Sequence, residues 1–315
     1  MGGDHGPSVT IPGAALALER HPEIRFVLHG IASECEPILE KYQPLKQASI
    51  FVAAEMAVQM DDKPSQALRQ DPFLMLDEFF SDNPDDYLAG FPSHPHRGFE
   101  TVTYMLDGHM QHKDHLGNTG DLGPGDVQWM TAARGIIHSE MPQQREGRMR
   151  GFQLWINLPA SLKMQPAGYR DIPSAQIPEH GIDGGRVRVI AGRWTDASGE
   201  TTGPVQRPVT EPTMLDLHLD AGATVEVPLP PHHHAFVYVY EGSARVGEQT
   251  VPHRAAGLLG PGEHLRIHAD DDTRLLVLAA KPLGEPVVQY GPFVMNTREE
   301  IEQALRDYRD GTLAA

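Results

Sequence analysis

Two stretches of this chain share one pattern. Gly120-Asp121-Leu122-Gly123-Pro124-Gly125-Asp126 is echoed by Gly257-Leu258-Leu259-Gly260-Pro261-Gly262-Glu263. Upstream of each lies an apolar run closed by an acidic residue and glycine, Tyr104-Met105-Leu106-Asp107-Gly108 and Val239-Tyr240-Glu241-Gly242. A strand and a Pro-Gly turn that recur in the same order imply duplication of one β-unit. Short β-type runs fill the chain from Asp71 onward, including Glu100–Leu106, Val127–Met130, Phe152–Leu158, Val187–Ala191, Met214–Leu219, Ala235–Tyr240 and Leu275–Ala279. Turn residues separate them, and Gly (31) and Pro (27) are numerous enough to supply those turns. Regular alternation of this kind predicts a sandwich or barrel rather than a helical fold.

Residues 1–70 read differently. Pro12–Arg20 and Ala32–Tyr42 carry helical character, whereas Arg25–His29 and Ala48–Ala53 read as strands. Strand, helix and strand in succession predict a small βαβ piece. Thr195–Pro212 is rich in Gly, Thr, Ser and Pro and is expected to link two barrels. Near the end, Thr297 and Glu300 form a capping box, and Ile301, Ala304, Leu305 and Tyr308 give one apolar face. The expected division is therefore an α/β fragment over 1–70, one barrel over 71–195, and a second barrel with a C-terminal helix over 196–315.

Charge narrows the function. The net charge of −17 repels phosphate backbones, so direct nucleic-acid binding is not expected. A protein partner stays open. The chain has one cysteine, Cys35, which forbids an internal disulfide and suits a reducing compartment. It reads as an inert, partly buried thiol. No apolar run reaches membrane-spanning length and no signal-peptide pattern opens the chain, so a cytoplasmic location away from membranes is expected.

The strongest chemical signal is His94-Pro95-His96. Residues i and i+2 of a strand point to the same side, so both imidazoles face one way. His138-Ser139-Glu140 repeats that geometry. Two such pairs on facing strands can converge on one ion, giving three imidazoles and one carboxylate. That donor set accepts Fe(II), Mn, Zn, Cu or Ni. Each pair alone is weak, because a His-x-His is more often a hydrogen-bonded or half-exposed pair; the pairing strengthens the reading. Glu100, four residues beyond His96, faces the same side on an unbroken strand and reads as a fifth ligand, as a salt-bridge partner of Arg97 or Arg134 or, preferred among these, as a group that orients an imidazole. Gln128, Trp129 and Met130 are expected either to wall an aromatic ligand's pocket or to form plain core. His232-His233-His234 mimics the first pair in the second half, but no His-x-Glu follows Pro261-Gly262. The expected state there is a solvated His cluster at the mouth of a barrel.

At these residues the sequence resembles the pirin family, from about Asp71 to the C-terminus. The carrying stretches are Phe91–Val102, Gly125–Ala132, Arg134–Glu140 and Gln289–Thr297. The resemblance implies two cupin barrels with metal only in the first, held by His94, His96, His138 and Glu140. It also implies iron, and either a quercetin 2,3-dioxygenase or a redox-sensitive protein that contacts a transcriptional partner. Residues 1–70 resemble instead the opening of the bacterial phosphate acyltransferase of phospholipid synthesis, through Met1–Ser8 and Met60–Arg69. The chain thus reads as a chimera joined near residue 70. The first barrel is then expected either to borrow Ala48–Ala53 as an edge strand or to leave that edge open. The 1–70 piece is expected to carry no acyltransferase activity.

The leading functional expectation is metal-dependent dioxygenation of a flavonol by O₂, with Glu140 taking the substrate's hydroxyl proton. Imidazoles bind metal only when neutral, so release is expected as pH falls below about 6. The alternative is a non-enzymatic iron-binding module.

Overall fold

The computed structural model describes residues 7–22, 24, 26–30, 32–53 and 70–314. Two compact units divide at residues 68 and 69. The first unit runs α1 (Pro7–Arg20), β1 (Phe26–Gly30), α2 (Ala32–Leu39), α3 (Gln43–Gln47) and β2 (Ser49–Ala53). Strands β1 and β2 pair in parallel, as the crossover through α2 and α3 requires. Ile11, Leu18, Leu28, Cys35, Leu39 and Leu45 close a small core. Cys35 is fully enclosed there, and burial raises its thiol pKa. The expectation that Ala48–Ala53 lends an edge to the barrel is corrected, since that strand pairs with β1. Met60–Arg69 lies outside the described residues.

The second unit opens with β3 (Phe73–Ser81), a short α4 (Pro84–Tyr87), β4 (Phe91–His96), β5 (Phe99–Asp107), β6 (Met110–Asp114), β7 (Thr119–Leu122), β8 (Val127–Thr131), β9 (Ile136–Pro142), β10 (Met149–Asn157), a short α5 (Ala160–Lys163) and β11 (Gly168–Ile172). These strands make two facing sheets, ordered β11-β8-β5-β10-β3 and β4-β9-β6-β7. Strand β3 pairs with β10 and takes the edge that the sequence left in doubt.

The duplicate follows as β12 (Glu179–Ile182), β13 (Gly185–Ala191), β14 (Arg193–Asp196), β15 (Gly199–Thr202), β16 (Thr213–Leu219), β17 (Thr224–Pro228), β18 (His234–Glu241), β19 (Ala244–Val246), β20 (Gln249–Val251), β21 (Ala255–Leu259), β22 (His264–Ala269) and β23 (Thr273–Ala280). Its sheets are β12-β13-β16-β23-β18-β21 and β17-β22-β19-β20. The expected division at residue 195 falls inside the β14–β15 hairpin, and β12 and β13 hydrogen-bond into the second barrel's sheet. The segment expected as a plain link instead contributes this hairpin, and Trp194 on it is buried in the second barrel's core.

Strand alternation gives each large sheet two different faces. In β23, Leu275, Val277 and Ala279 fill the second barrel, while Leu276, Leu278 and Ala280 face the first. In β5, Val102 and Tyr104 join that shared layer together with Trp129, Phe152, Leu154 and Ile156. The two barrels thus meet sheet on sheet through one core. The interior of the second barrel is packed with Val, Leu, Ile and Ala. The first encloses buried polar groups, among them His96, Thr103, His112, Gln128, His138 and Glu140.

After β23 the chain returns to the first barrel as β24 (Val288–Tyr290), β25 (Phe293–Met295) and α6 (Arg298–Arg309). Thr297 and Glu300 form the reciprocal cap expected from sequence. Arg97 bridges to Phe293 in the backbone and pairs with Asp307 at 2.6 Å. Gly98 sits between β4 and β5 at φ +93°, where a Cβ would run into the Val294 carbonyl, so the position requires glycine.

Candidate metal centre

The two His-containing pairs lie on adjacent, antiparallel strands. His94 on β4 stands directly opposite His138 on β9, and His112 on β6 stands opposite Glu140. Three hydrogen-bonded strands therefore present one row of side chains to the barrel interior. Ring centroids of His94, His96 and His138 are 4.8, 4.3 and 4.9 Å apart. One nitrogen from each of these three rings lies within 4.8 Å of the others.

Polar groups buried without partners are costly and point to an absent partner. Both ring nitrogens of His96 and Nε2 of His138 are buried with no hydrogen bond of normal geometry. Burial pulls the His96 pKa down to about 3, helped by His94, with the nearby Pro292 carbonyl opposing part of the shift. Burial likewise pushes His138 far down, helped by His96, His94 and His112. The rings are thus held neutral with free lone pairs, which is the state that binds a divalent ion. The residues fit a metal on that ground.

His112 was not anticipated as part of the site. It is fully buried, stacks on Tyr169 at 4.7 Å, and places Nδ1 3.2 Å from Nδ1 of His138. If Nε2 of His138 is the ligand atom, its Nδ1 carries the proton and donates to His112. The proton of His112 then sits on Nε2, 3.6 Å from the Asp114 carboxylate. Such a chain fixes both tautomers. Strand alternation from Asp114 through His112 carried that signal, but nothing in the sequence linked it to His138.

Glu140 is buried on β9. Its two oxygens accept from Thr103 Oγ1 and Gln153 Nε2, each at 3.0 Å. The carboxylate is therefore oriented by two neutral donors, two residues along β9 from His138, and it is not among the groups whose ligand atoms lie within 4.8 Å of one another. Phe99 and Trp155 flank His96, with ring centroids at 5.2 and 5.3 Å. His94 is half-buried, so one side of the cluster faces outward.

The other expected neighbours are divided by the pleat. Trp129 is core, packed in the layer between barrels beneath Arg207. Met130 packs with Ala132 and Ile136. Gln128 donates to Tyr169 Oη at 3.1 Å, and Tyr169 stacks on His112. Glu100 accepts from Thr131 at 2.6 Å and faces Arg207 at 3.3 Å. The unbroken strand assumed for it does not exist: β4 ends at His96 and β5 begins at Phe99. Arg97 turns to Asp307 instead.

Fold and site together define a two-barrel β-protein with an imidazole cluster inside one barrel. The family model described as Pirin matches residues 54–156, and the one described as Pirin C-terminal cupin domain matches 214–314. A Pseudomonas aeruginosa protein named "Putative quercetin 2,3-dioxygenase" is 62% identical over 251 residues, covering 78% of this chain and 88% of that one. Human Pirin is 44% identical over 250 residues, covering 76% and 82%. A crystal structure of quercetin 2,3-dioxygenase from Acinetobacter baumannii superposes with a TM-score of 0.71 at 36% identity, covering 78% and 87%. The chain belongs to the pirin family. Residues 1–77 match a different model, described as Fatty acid synthesis protein, so parts of two families are joined in one chain.

Proposed function

We propose that this pirin-family chain is an iron-dependent dioxygenase acting on a flavonol-like aromatic. The observation that carries the reading is the three-imidazole cluster, in which both nitrogens of His96 and Nε2 of His138 are buried without partners, together with the oriented Glu140 carboxylate and the Trp155 ring against His96. The names of the Pseudomonas and Acinetobacter relatives support the substrate class. His94, His96 and His138 would hold the ion, with Glu140 completing the set or standing free beside it. A bound divalent metal supplies a Lewis acid that lowers the pKa of a chelating hydroxyl and a position at which O₂ is activated. Glu140 accepts the flavonol hydroxyl proton, and Thr103 and Gln153 hold its oxygens for that transfer. Trp155, half-buried with Phe99 packed behind it, offers an aromatic face to a planar ring.

The test is metal analysis of the purified chain and of a His94→Ala/His138→Ala variant, followed by oxygen uptake with quercetin. Near-stoichiometric iron, lost in the variant, with oxygen consumption is the expected result. Bound iron without turnover replaces the enzyme reading with the metal-tuned module that contacts another protein.

A further inference from the structure

The His232–His234 run does not behave as the solvated cluster expected from sequence. His234 leaves it, with Nδ1 2.7 Å from the Asp71 carbonyl. His233 turns inward, and its side chain is only 2% exposed. Neither of its ring nitrogens has a hydrogen-bond partner. Glu211 approaches from the segment before β16, with Oε2 3.7 Å from His233 Nε2. The His232 ring stands 4.8 Å from that of His233. One ligand atom from each of Glu211, His232 and His233 lies within 4.8 Å of the others.

We propose that Glu211, His232 and His233 form a second divalent-cation site, at the rim of the second barrel and separate from the imidazole cluster of the first. Two imidazoles and one carboxylate suit a borderline ion such as Zn²⁺ or Ni²⁺. The site is not the His232/His234 pair that copies His94/His96, because His234 turns to the Asp71 carbonyl and the inside of this barrel is filled with apolar side chains. It uses instead the one buried imidazole with free nitrogens at that rim. Glu211 holds φ +43°, and its N–H donates to the Arg207 carbonyl at 2.8 Å, a turn that aims the carboxylate toward the two rings. His233 and Glu211 line a cavity of about 640 Å³ shared with Arg193, Gln206, Arg207 and Leu229. Three protein ligands leave coordination positions open toward it for water.

Lys281 is the competitor. Its ammonium sits 3.7 Å from Glu211 Oε1 and is half exposed. An incoming cation displaces it into solvent. Removing that ammonium therefore tightens cation binding, a gain that a misfolded variant does not produce.

The experiment uses the full chain without a polyhistidine tag, carrying His94→Ala and His138→Ala to silence the first cluster. It is titrated with Zn²⁺ alone by calorimetry, with equilibrium dialysis as a second count. One saturable ion per chain is expected. Glu211→Gln, a near-isosteric change at a half-exposed position, is expected to weaken it at least tenfold, and Lys281→Met to tighten it several-fold. Co²⁺ in the same background is expected to give a visible ligand-field spectrum that Glu211→Gln abolishes. Absence of a saturable ion, or one whose affinity is the same in Glu211→Gln and Lys281→Met, overturns the site.

Discussion

His112 touches a proposed ligand through a single pair of nitrogens, and its effect is expected to be large for its position. With His112→Gln the tautomer of His138 loses its fixed acceptor, and metal affinity is expected to fall about 10- to 100-fold, read by competition with a chelator. With Glu140→Gln the side chain keeps its size and one acceptor oxygen, but its amide no longer takes a proton. Oxygen uptake with quercetin is expected to fall about 100-fold or more. The pH behaviour follows from burial. An unfolded imidazole titrates near 6.5, whereas folded His96 stays neutral down to about 3. The folded pKa is depressed, so the unfolded chain takes up protons first. The stability of the metal-free protein is then fully present above pH 6.5 and is lost as pH falls toward 3. The same shift delays competition between protons and metal. Retention of metal at pH 5 is expected, in place of the release below about 6 inferred from reference values, and metal analysis after gel filtration at pH 7, 6 and 5 decides it. At this scale the i, i+2 pairs were legible because strand geometry alone aligns them. His112 was not, because its link to His138 runs across two strands. Glu100 was misread because Gly98 breaks the strand that was assumed continuous.

Among the elements, α5 is only one turn long, yet it places Lys163 fully inside the protein. Its ammonium donates to the Gly98 carbonyl at 2.8 Å, Asn157 Oδ1 at 2.6 Å and the Val294 carbonyl at 2.8 Å. Three acceptors match three protons, although burial pulls the Lys163 pKa down to about 7. Lys163→Met removes all three bonds and leaves buried acceptors unpaired. A loss of about 3 kcal/mol is expected from denaturant melts. The strands and α6 were legible from alternation and the capping box. The job of Lys163 was not, since two of its three acceptors come from β25 and the β4–β5 turn, far away in sequence.

For the molecule as a whole, the shared layer between barrels also carries a polar knot. Tyr104 and Tyr240 each donate to Asp216 at 2.6 Å, and Arg188 donates to the Tyr104 hydroxyl at 2.7 Å. Tyr104 belongs to one barrel and the other three to its duplicate. Large apolar faces and this knot tie the two barrels, so residues 70–314 are expected to unfold in one calorimetric transition. Tyr104→Phe leaves a buried carboxylate and a guanidinium each one partner short. It is expected to lower stability by about 1–2 kcal/mol while keeping the transition single. The repeat in the sequence announced two similar barrels. It could not announce that they are fused face to face, because Val102 and Leu276 read as ordinary core whichever side they cover.

The return of β25 and α6 to the first barrel has a consequence for how genes encoding such chains tolerate rearrangement. The edge strand of the barrel begins at Phe73, inside the stretch 54–77 that both family models match. Exchange of coding sequence upstream of the pirin match therefore removes none of the described barrel strands. The 3′ portion has no such freedom. Arg97, beside the histidines of β4, is pinned by Asp307 and the Leu313 carbonyl, 210 and 216 positions later. A frameshift that spares every proposed ligand codon in the first barrel but rewrites the last thirty or so is expected to disarm the centre they build.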